Sequence, residues 1–372
     1  MRLRPVDGAD ALAVRDALPA ALDGSAPLAL GFTPAAEDVV PDGTAVVIAT
    51  SGSSGIPKRV VLSAAALRAS ASATAARIGA GQWMLALPPA YIAGVQVLGR
   101  SLLARHKPVL LEGRFAPDAF VRATAAMRSD VDRFTSFVPA QLATLLDAGD
   151  ADPGVRDALR SYRAILIGGQ ALPAPLRERA LAAGARIVRT YGSSETAGGC
   201  AYDGIPLDGV RLAEVDGEIR IAGAHLADGY LGEPDRTAEA FATDEDGTRW
   251  YRTGDAGTIG ADGVLSITGR IDNVIVSGGI NVSLDRVERV VRGIRGLEQA
   301  VVVGAPDERW GEASLVFAAS PDAASQLDEV RERVAEEIGR HARPARIVVL
   351  AEMPLLASGK PDREALRRLA RG

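Results

Sequence analysis

Three lysines stand out against a chain whose other basic side chains are all arginines. The sequence contains 42 lysines plus arginines, and lysine occurs only at Lys58, Lys107 and Lys360, so 42 − 3 = 39 of them are arginines. Lysine is a compact point charge, whereas arginine is a broad planar fork. Lys58 and Lys360 are therefore candidates for positions where the chemistry needs an ammonium. Lys107 follows an Arg-His pair in a predicted surface loop and is interpreted as a solvated charge.

Lys58 ends a run of small residues, TSGSSGIPK, over positions 50–58. Its glycines let the backbone turn tightly, and hydroxyls and amides around an ammonium are typical of a phosphate-binding loop. The run is not a Walker A loop, in which Gly-Lys-Ser/Thr opens a helix, because here the lysine follows Pro57. Taken alone, it could also be a plain Ser/Gly turn. The candidate phosphate contacts are Thr50, Ser51, Gly52, Ser53, Ser54, Gly55 and Lys58.

A second polar cluster, YGSSET at 191–196, follows a predicted strand. It combines an aromatic ring, several hydroxyls and the carboxylate of Glu195. A nucleotide site needs this set, because a base packs on a ring face, hydroxyls bind phosphate oxygens and Mg²⁺ prefers oxygen ligands. The alternative, a plain surface carboxylate at Glu195, is weakened by the other motifs that follow in order along the chain.

Three shorter motifs carry the remaining charges of interest. RTGD at 252–255 places a carboxylate after a glycine turn, where it suits ribose hydroxyls, although Asp255 could merely cap that turn. GRID at 269–272 sets an arginine beside an acidic residue, and a simple ion pair is the open alternative. SGKPDR at 358–363 places Lys360 in a Ser-Gly turn before a helix capped by Asp362.

Alternating strand and helix patterns predict the elements that must position these residues. Short β-branched or apolar runs such as TAVVIAT and AILIGG predict buried strands. Ser63 is a predicted N-cap for the Ala-rich run after it, and Gly184 is predicted to end another helix. The alternation continues to about residue 195 and predicts a largely parallel sheet covered by helices.

The pattern changes twice after that point. Residues 210–270 contain short alternating runs rich in Gly and Asp, which predict β-hairpins in a small sheet or barrel. A helix, a hairpin, an amphipathic helix and a strand follow. We therefore predict an α/β protein: a large N-terminal domain of helix-covered β-sheets plus small β-structure at 1–271, and a small mobile α+β C-terminal domain at 272–372. The boundary is placed near Asp272.

Composition excludes several classes of protein. The net charge of −5 gives no electrostatic reason to expect a nucleic-acid partner. One cysteine excludes an internal disulfide framework, and three scattered histidines do not fit a zinc site. No apolar run is long enough for a membrane span, and Asp7 and Asp10 interrupt the segment where a signal peptide would be apolar. We expect a cytoplasmic protein, and we leave a homodimer open.

The five motifs, in this order, resemble the adenylate-forming acyl-CoA ligases, the superfamily shared with luciferase and peptide-synthetase adenylation domains. The resemblance runs from about residue 44 to the C-terminus. It implies that ATP and coenzyme A are co-substrates, that Mg²⁺ is the cofactor, and that a small carboxylic acid is the substrate. The ATP-binding residues that it implies are Thr50, Ser51, Gly52, Ser53, Ser54, Gly55, Lys58, Gly168, Gly169, Gln170, Tyr191, Gly192, Asp255 and Arg270.

The resemblance also implies individual roles. Tyr191 would pack on adenine, Ser194 would contact phosphate, Glu195 would bind Mg²⁺ and Lys360 would be the catalytic lysine. Asp255 and Arg270 would hold the ribose. The remaining implied residues are the hinge Asp272, the CoA-arm turn Gly278 and Gly279, and the acyl-pocket candidates Tyr91, Ser136, Gln141, Gly198 and Gly199. From the residues alone, Tyr91 and Gln141 could equally be plain core.

A closer resemblance is to the o-succinylbenzoate–CoA ligases of menaquinone synthesis, in their short actinobacterial form. It rests on LPPAYIAG, TSFVPAQL, ILIGGQALP and GGCAYDGIPLDGVRL, and on a phosphate loop that begins already at residue 50. Three positions depart from the family pattern. Tyr91 stands where the family usually has His, Ser194 where Thr is usual, and Leu284 where Pro is usual. The change at Tyr91 leaves the identity of the acid open.

The implied reaction activates a carboxylate with ATP, releases pyrophosphate, and transfers the acyl group from AMP to a thiol. Glu195 with Mg²⁺ and the Lys58 loop would neutralise phosphate charge, and Lys360 would stabilise the transition state. With no carrier segment in the sequence, free CoA is the expected acceptor. The alternatives are another aromatic or aliphatic acid, a carrier-protein thiol, and a degenerate nucleotide-binding regulatory protein without activity.

Overall fold

A computed structural model describes residues 1–50, 58–356 and 359–371. The first part of the chain forms one mixed sheet with two helices on it. Its strands are ordered β1-β2-β3-β4-β14, where β14 (Gly229–Tyr230) comes from later in the chain. The elements of this part are β1 (Arg4–Val6), α1 (Ala11–Leu22), β2 (Leu28–Leu30), β3 (Thr44–Thr50), β4 (Lys58–Ser63) and α2 (Ala64–Ile78).

A seven-stranded central sheet follows, with parallel strands in the order β9-β8-β7-β5-β6 and an antiparallel edge formed by β10 and β11. Helices cover it, as the sequence pattern predicts. Its elements are β5 (Gln82–Leu85), α3 (Ile92–Leu103), β6 (Val109–Leu110), α4 (Pro117–Ala125), β7 (Arg133–Phe137), α5 (Pro139–Ala151), α6 (Pro153–Arg160), β8 (Ala164–Ile167), α7 (Ala174–Ala182), β9 (Ile187–Ser193), a 3₁₀ turn (Ser194–Thr196), β10 (Gly198–Tyr202) and β11 (Ile205–Pro206).

The prediction of one largely parallel sheet through residue 195 is thus right for the central sheet and wrong for the first one. Strands β3 and β4 pair antiparallel, with Thr50 opposite Lys58. Only residues 51–57 connect them, whereas a crossover to a parallel strand needs a dozen residues or more. The N-cap prediction is confirmed, because the Ser63 hydroxyl accepts a hydrogen bond of 3.1 Å from the amide of Ala66.

The Gly- and Asp-rich region forms the predicted antiparallel sheet, in the order β12-β13-β16-β15, with β17 paired to β16. The short strand β14 leaves this region and pairs with β4 of the first sheet. The elements here are β12 (Arg211–Val215), β13 (Glu218–Ala222), β14 (Gly229–Tyr230), α8 (Pro234–Ala240), β15 (Phe241–Thr243), β16 (Arg249–Ile259) and β17 (Leu265–Arg270).

The last part of the chain is an α+β unit that builds two hydrophobic cores of its own, from residues between Ile275 and Ala370. Its first hairpin, β18–β19, was not predicted. The elements are β18 (Val274–Ser277), β19 (Ile280–Ser283), α9 (Leu284–Arg292), β20 (Val301–Asp307), β21 (Gly311–Ala318), α10 (Leu327–Glu337), β22 (Arg346–Val349) and α11 (Arg363–Arg371). Within the described ranges, no helix has the length and apolar character that crossing a bilayer requires.

Candidate active site

A cavity of about 410 Å³ opens where the parallel strands of the central sheet end. Ligands of open α/β sheets bind at the carboxyl ends of the strands, so this is the expected place for a site. Glycines let the backbone approach closely here: a Cβ atom on Gly168 would lie 2.5 Å from the hydroxyl oxygen of Thr190, and one on Gly192 would lie 2.1 Å from the carbonyl oxygen of Gly198. Larger residues at these two positions would displace the strand ends.

Many of the predicted site residues line this one cavity. They come from β3 and β4, from the start of α3, from the ends of β7, β8 and β9, from the 3₁₀ turn, from β10, from the end of β17 and from the C-terminal unit. The lining residues that the sequence predicted are Thr50, Lys58, Tyr91, Ser136, Gly168, Gly169, Gly192, Ser194, Glu195, Gly198, Gly199, Arg270 and Lys360. The predicted contacts Ser51, Gly52, Ser53, Ser54 and Gly55 lie outside the described residues.

Glu195 lies in the 3₁₀ turn with a side chain that is almost fully buried. Its Oε1 atom accepts a 2.9 Å hydrogen bond from the hydroxyl of Tyr230 and lies 3.8 Å from the ammonium of Lys58. A carboxylate can be held in such a position only because these partners offset the loss of water. No cluster of three His, Cys, Asp or Glu exists among the described residues, so protein ligands alone do not enclose a metal there. One carboxylate combined with substrate phosphates is a usual arrangement for Mg²⁺, and Glu195 fits it.

Lys360 reaches the same cavity from the C-terminal unit. Its side chain is accessible to solvent through the open cavity, yet the surrounding walls lower the pKa of its ammonium by desolvation. The negative charges of Glu195 and Asp255 oppose this shift. The segment is anchored in its own unit, because Arg363 donates to Glu288 at 2.7 Å and to the carbonyl of Val302 at 2.8 Å. These hydrogen bonds hold the segment that places the Lys360 ammonium at the cavity.

A second group of predicted residues forms a chain of hydrogen bonds beside the cavity. The hydroxyl of Tyr191 donates to Asp255 at 2.6 Å, and Arg270 donates to the other oxygen of Asp255 at 3.2 Å. Burial raises the pKa of the Asp255 carboxyl, and its two partners oppose that rise. Arg270 also pairs with Asp272, which lowers the pKa of the Asp272 carboxyl. These four side chains link the end of β9 to the start of the C-terminal unit.

Two predicted residues lie elsewhere. The amide of Gln141, predicted for the acyl pocket, accepts from the backbone of Val138 at 3.1 Å and donates to the carbonyl of Ala86 at 2.8 Å, so it caps α5 rather than lining the cavity. Gln170 accepts a 3.3 Å hydrogen bond from Arg292 of α9 and does not line the cavity either.

The glycine turn predicted to guide CoA is also away from this cavity. Gly278 and Gly279 form the two-residue turn of the β18–β19 hairpin, with φ angles of 58° and 81°. Both residues adopt the left-handed conformation that such a turn requires, which explains the paired glycines locally.

Sequence reasoning missed one charged residue in the wall of the cavity. Arg100, on α3, lines the cavity and is only 7% exposed. Burial lowers the pKa of its guanidinium, whose carbon lies 5.2 Å from the ring centre of Trp83. The Nε atom is buried without a hydrogen-bond partner, and no carboxylate in the described part of the chain forms an ion pair with it. A signal was available, because Arg100 interrupts the apolar helix sequence IAGVQVLGRSLL.

Cys200 is buried in β10 next to this region, and its surroundings do not favour a nucleophilic thiolate. Its thiol donates to the carbonyl of Tyr191 at 3.5 Å, and burial raises its pKa to about 12. A thiolate would be needed for attack, and it does not form at neutral pH with such a pKa.

Comparison with known proteins agrees with this geometry. The sequence model of the family described as AMP-binding enzyme matches residues 6–231, and that of the AMP-binding enzyme C-terminal domain matches residues 286–360. The chain is 40% identical to the "Probable 2-succinylbenzoate--CoA ligase" of Mycobacterium tuberculosis H37Rv, over 88% of this chain and 85% of that protein. It is 31% identical to the 2-succinylbenzoate–CoA ligase of Geobacillus kaustophilus, over 87% and 69%.

Solved structures show the same fold. An o-succinylbenzoate CoA synthetase of Bacillus subtilis, in complex with its acyl-adenylate intermediate, matches with a TM-score of 0.74 and 26% identity, over 96% of this chain and 81% of that one. ATP-bound MatB of Rhodopseudomonas palustris matches with a TM-score of 0.75 and 22% identity, over 91% and 70%, which supports the fold alone. The predicted superfamily, fold class and enzyme class are confirmed. The chain belongs to the AMP-binding enzyme family and is an adenylate-forming enzyme of the acyl-CoA ligase type.

Proposed function

We propose that this ligase activates o-succinylbenzoate with ATP and transfers the acyl group to coenzyme A. The observation that carries the proposal is Arg100, a buried cation in the wall of the cavity that also holds Lys360 and Glu195. A buried charge without a partner is costly, so this position favours a ligand that brings a negative charge with it. We therefore infer that the acid has a second carboxylate besides the one that is activated.

o-Succinylbenzoate meets that requirement. Its aliphatic carboxylate is the one to be activated near Lys360, and its ring carboxylate can pair with Arg100. The walls between these two points are apolar and suit an aromatic ring, and they include Leu87, Ile92, Phe137, Val138 and Leu166. With Arg100 proposed for the ring carboxylate, Ser136 and the backbone at Gly198 and Gly199, predicted for the acyl pocket, are our candidates for the keto group. The two relatives named as 2-succinylbenzoate–CoA ligases support the same substrate.

In the first half-reaction, a carboxylate oxygen of the acid attacks the α-phosphorus of ATP. The bond between the α-phosphorus and the bridging oxygen breaks, and pyrophosphate leaves. Lys360 holds a positive charge where negative charge builds up in the transition state, and Lys58 and Ser194 are proposed to bind phosphate oxygens. Bound at Glu195, Mg²⁺ would supply further neutralisation of phosphate charge. Tyr191, Asp255 and Arg270 are proposed to hold the nucleoside.

In the second half-reaction, the thiol sulfur of CoA attacks the acyl carbon, the bond to the AMP oxygen breaks, and AMP leaves. We propose that the unit 272–372 rotates about Asp272 between the two steps, so that the turn at Gly278 and Gly279 guides the pantetheine arm. The positions of Lys360 and of this turn support the proposed rotation. Lys360 lines the cavity in the present arrangement, whereas Gly278 and Gly279 do not.

A monocarboxylic acid is the second candidate. The chain is 31% identical to the "Medium/long-chain-fatty-acid--CoA ligase FadD8" of Mycobacterium tuberculosis H37Rv, although it covers only 62% of that protein. The apolar walls would accept an alkyl chain. Arg100 argues against this substrate, since a fatty acid would leave the guanidinium buried and unpaired.

The experiment compares two acids that differ by one group. ATP–pyrophosphate exchange is measured with o-succinylbenzoate and with 4-oxo-4-phenylbutanoate, which lacks only the ring carboxylate, in the parent enzyme and in Arg100→Met. Breaking a buried charge pair costs about 3–5 kcal/mol, so we expect the parent to prefer the diacid by about 10²–10⁴-fold in kcat/KM. In Arg100→Met that preference should fall to near one, with no loss for the monoacid, because no unpaired charge is then buried with it.

Two outcomes would overturn the assignment. One is an equal kcat/KM for the two acids in the parent enzyme. The other is a loss in Arg100→Met that is the same for both acids, which would make Arg100 a structural residue. A wider panel of benzoates, dicarboxylic acids and medium-chain fatty acids then shows whether another acid is used faster than o-succinylbenzoate.

A further inference from the structure

Tyr230 lies next to both Lys58 and Glu195, the two side chains proposed above to neutralise phosphate charge. It lies in the two-residue strand β14, which pairs with β4 so that Tyr230 is opposite Val60, two residues after Lys58. The amide next to this strand, that of Leu231, donates to the carbonyl of Arg59 at 2.8 Å. The backbone of Tyr230 is thereby fixed to the strand that carries Lys58.

The side chain of Tyr230 points to Glu195. Its hydroxyl donates to Oε1 of Glu195 at 2.9 Å, and its ring centre lies 5.3 Å from the ammonium of Lys58. The same segment also holds the backbone of the carboxylate, because the amide of Ala227 donates to the carbonyl of Glu195 at 2.8 Å. Two contacts within one short segment therefore set both the position and the rotation of this carboxylate.

The hydrogen bond from Tyr230 makes the two carboxylate oxygens of Glu195 different from each other. Oε1 receives both the hydroxyl of Tyr230 and the charge of Lys58, whereas Oε2 has no hydrogen-bond partner in the ranges that the structure describes. A carboxylate held by one oxygen presents the other in a fixed direction. Ligating carboxylates are commonly held in this way, and removal of the partner typically lowers metal affinity by about 10–100-fold.

We propose that Tyr230 is a positioning residue for the metal: it holds Oε1 of Glu195 so that Oε2 faces the cation that accompanies ATP. The inference rests on the metal role proposed above for Glu195 and does not depend on which acid is activated. Tyr230 is nearly fully buried and packs against Phe241, with ring centres 5.9 Å apart. Tyr230→Phe therefore removes the hydroxyl and leaves the packing and the ring next to Lys58.

The test measures metal binding without turnover. Mn²⁺ is titrated into enzyme with saturating ATP and no acid, and bound Mn²⁺ is followed by electron paramagnetic resonance. We expect Tyr230→Phe to weaken Mn²⁺ binding by about 10–100-fold, with metal-free ATP binding, measured by calorimetry, changed less than twofold. A matched control is Tyr162→Phe, which removes another buried tyrosine hydroxyl, bonded to Thr124 at 2.8 Å in a different core. It should leave Mn²⁺ binding unchanged.

Glu195→Gln distinguishes a wrong metal role for Glu195 from a wrong positioning role for Tyr230. If Glu195→Gln still binds Mn²⁺ as the parent does, the proposed metal role of Glu195 is wrong. If Glu195→Gln loses Mn²⁺ and Tyr230→Phe does not, only the role of Tyr230 is wrong. A loss of metal-free ATP binding in Tyr230→Phe would also overturn the inference, because the tyrosine would then act on Lys58 and the phosphate loop. Adding Tyr230→Phe to Glu195→Gln should cause no further loss.

Discussion

Arg270 and Asp272 form two parallel hydrogen bonds of 3.0 Å each, from Nε to Oδ1 and from Nη2 to Oδ2. The same guanidinium donates to the carbonyl of Thr253 at 2.6 Å. The pair thus joins the end of β17 to the turn that precedes β18. Both side chains are partly exposed, so we expect it to contribute about 1 kcal/mol or less. Such a contact can break during each turnover.

The contact between Arg270 and Asp272 leads to a prediction about substitutions of Asp272. Proline at this position would fix φ near −65° and restrict Ile271, and it would remove the contact with Arg270. We expect Asp272→Pro to keep single-turnover release of pyrophosphate and to lose thioester formation from pre-formed adenylate. Asp272→Ala is the matched control, since it removes the contact but leaves the backbone free, and it should retain both half-reactions. If Asp272→Pro loses both half-reactions equally while its circular dichroism is unchanged, rotation about this residue is contradicted.

The positive charge of Lys360 is predicted to be required for adenylation. Lys360→Ala should lower the rate of adenylation by at least about 10²–10³-fold, because a donor aimed at developing charge is lost. ATP binding, measured by calorimetry, should change little. Lys360→Arg should not restore the rate, since a broad planar fork cannot occupy the place of a point charge beside Gly169. Near-normal exchange in either variant would show that this lysine is not the catalytic one.

We expect His225 to make the stability of the fold depend on pH. Its side chain is buried, its Nε2 atom has no hydrogen-bond partner in the described structure, and desolvation lowers its pKa to about 4. The unfolded chain has the ordinary pKa of about 6.5 and so binds a proton first as the pH falls. The contribution of neutral His225 is therefore complete above pH ~6.5 and is lost between about pH 6.5 and 4.

The measurement is urea unfolding at pH 7.5 and pH 5.0. Acidification over this range should cost the parent about 2 kcal/mol through His225, beyond what other groups contribute. His225→Leu has a similar volume and no ionisable group, so its stability should fall by about that much less. An identical pH dependence in the two proteins would show that His225 titrates alike in the folded and unfolded chains.

Much of the fold could be predicted from local patterns. Ser63 caps α2 as expected, and the parallel central sheet follows from its alternating strands and helices. The first sheet could not be assembled in this way, because β14 comes from residues 229–230 and pairs with β4 more than 160 residues earlier. A two-residue strand carries no periodicity of its own. Its place is set by long-range pairing, which a local pattern does not contain.

Residues that line the cavity could be predicted where motifs are contiguous, and were missed where the lining depends on packing. Lys58, Glu195 and Lys360 stand in recognisable runs and all line one cavity. Arg100 is in the middle of an apolar helix, and only the fold reveals that it faces the cavity rather than solvent. Gln141 shows the opposite error. Its position three residues after Val138 suits a helix N-terminus, and its amide is used there by backbone groups.

The burial of Cys200 has a practical consequence for testing the proposed rotation. It is the sole cysteine of the sequence, it is buried, and its thiol is not ionised near neutral pH. Maleimide dyes should therefore leave it unmodified in the folded protein. Cysteines introduced at exposed positions, such as Leu181→Cys on α7 and Leu369→Cys on α11, could carry a donor and an acceptor fluorophore. Single-molecule energy transfer could then follow the C-terminal unit during turnover without alteration of any native side chain in the cavity.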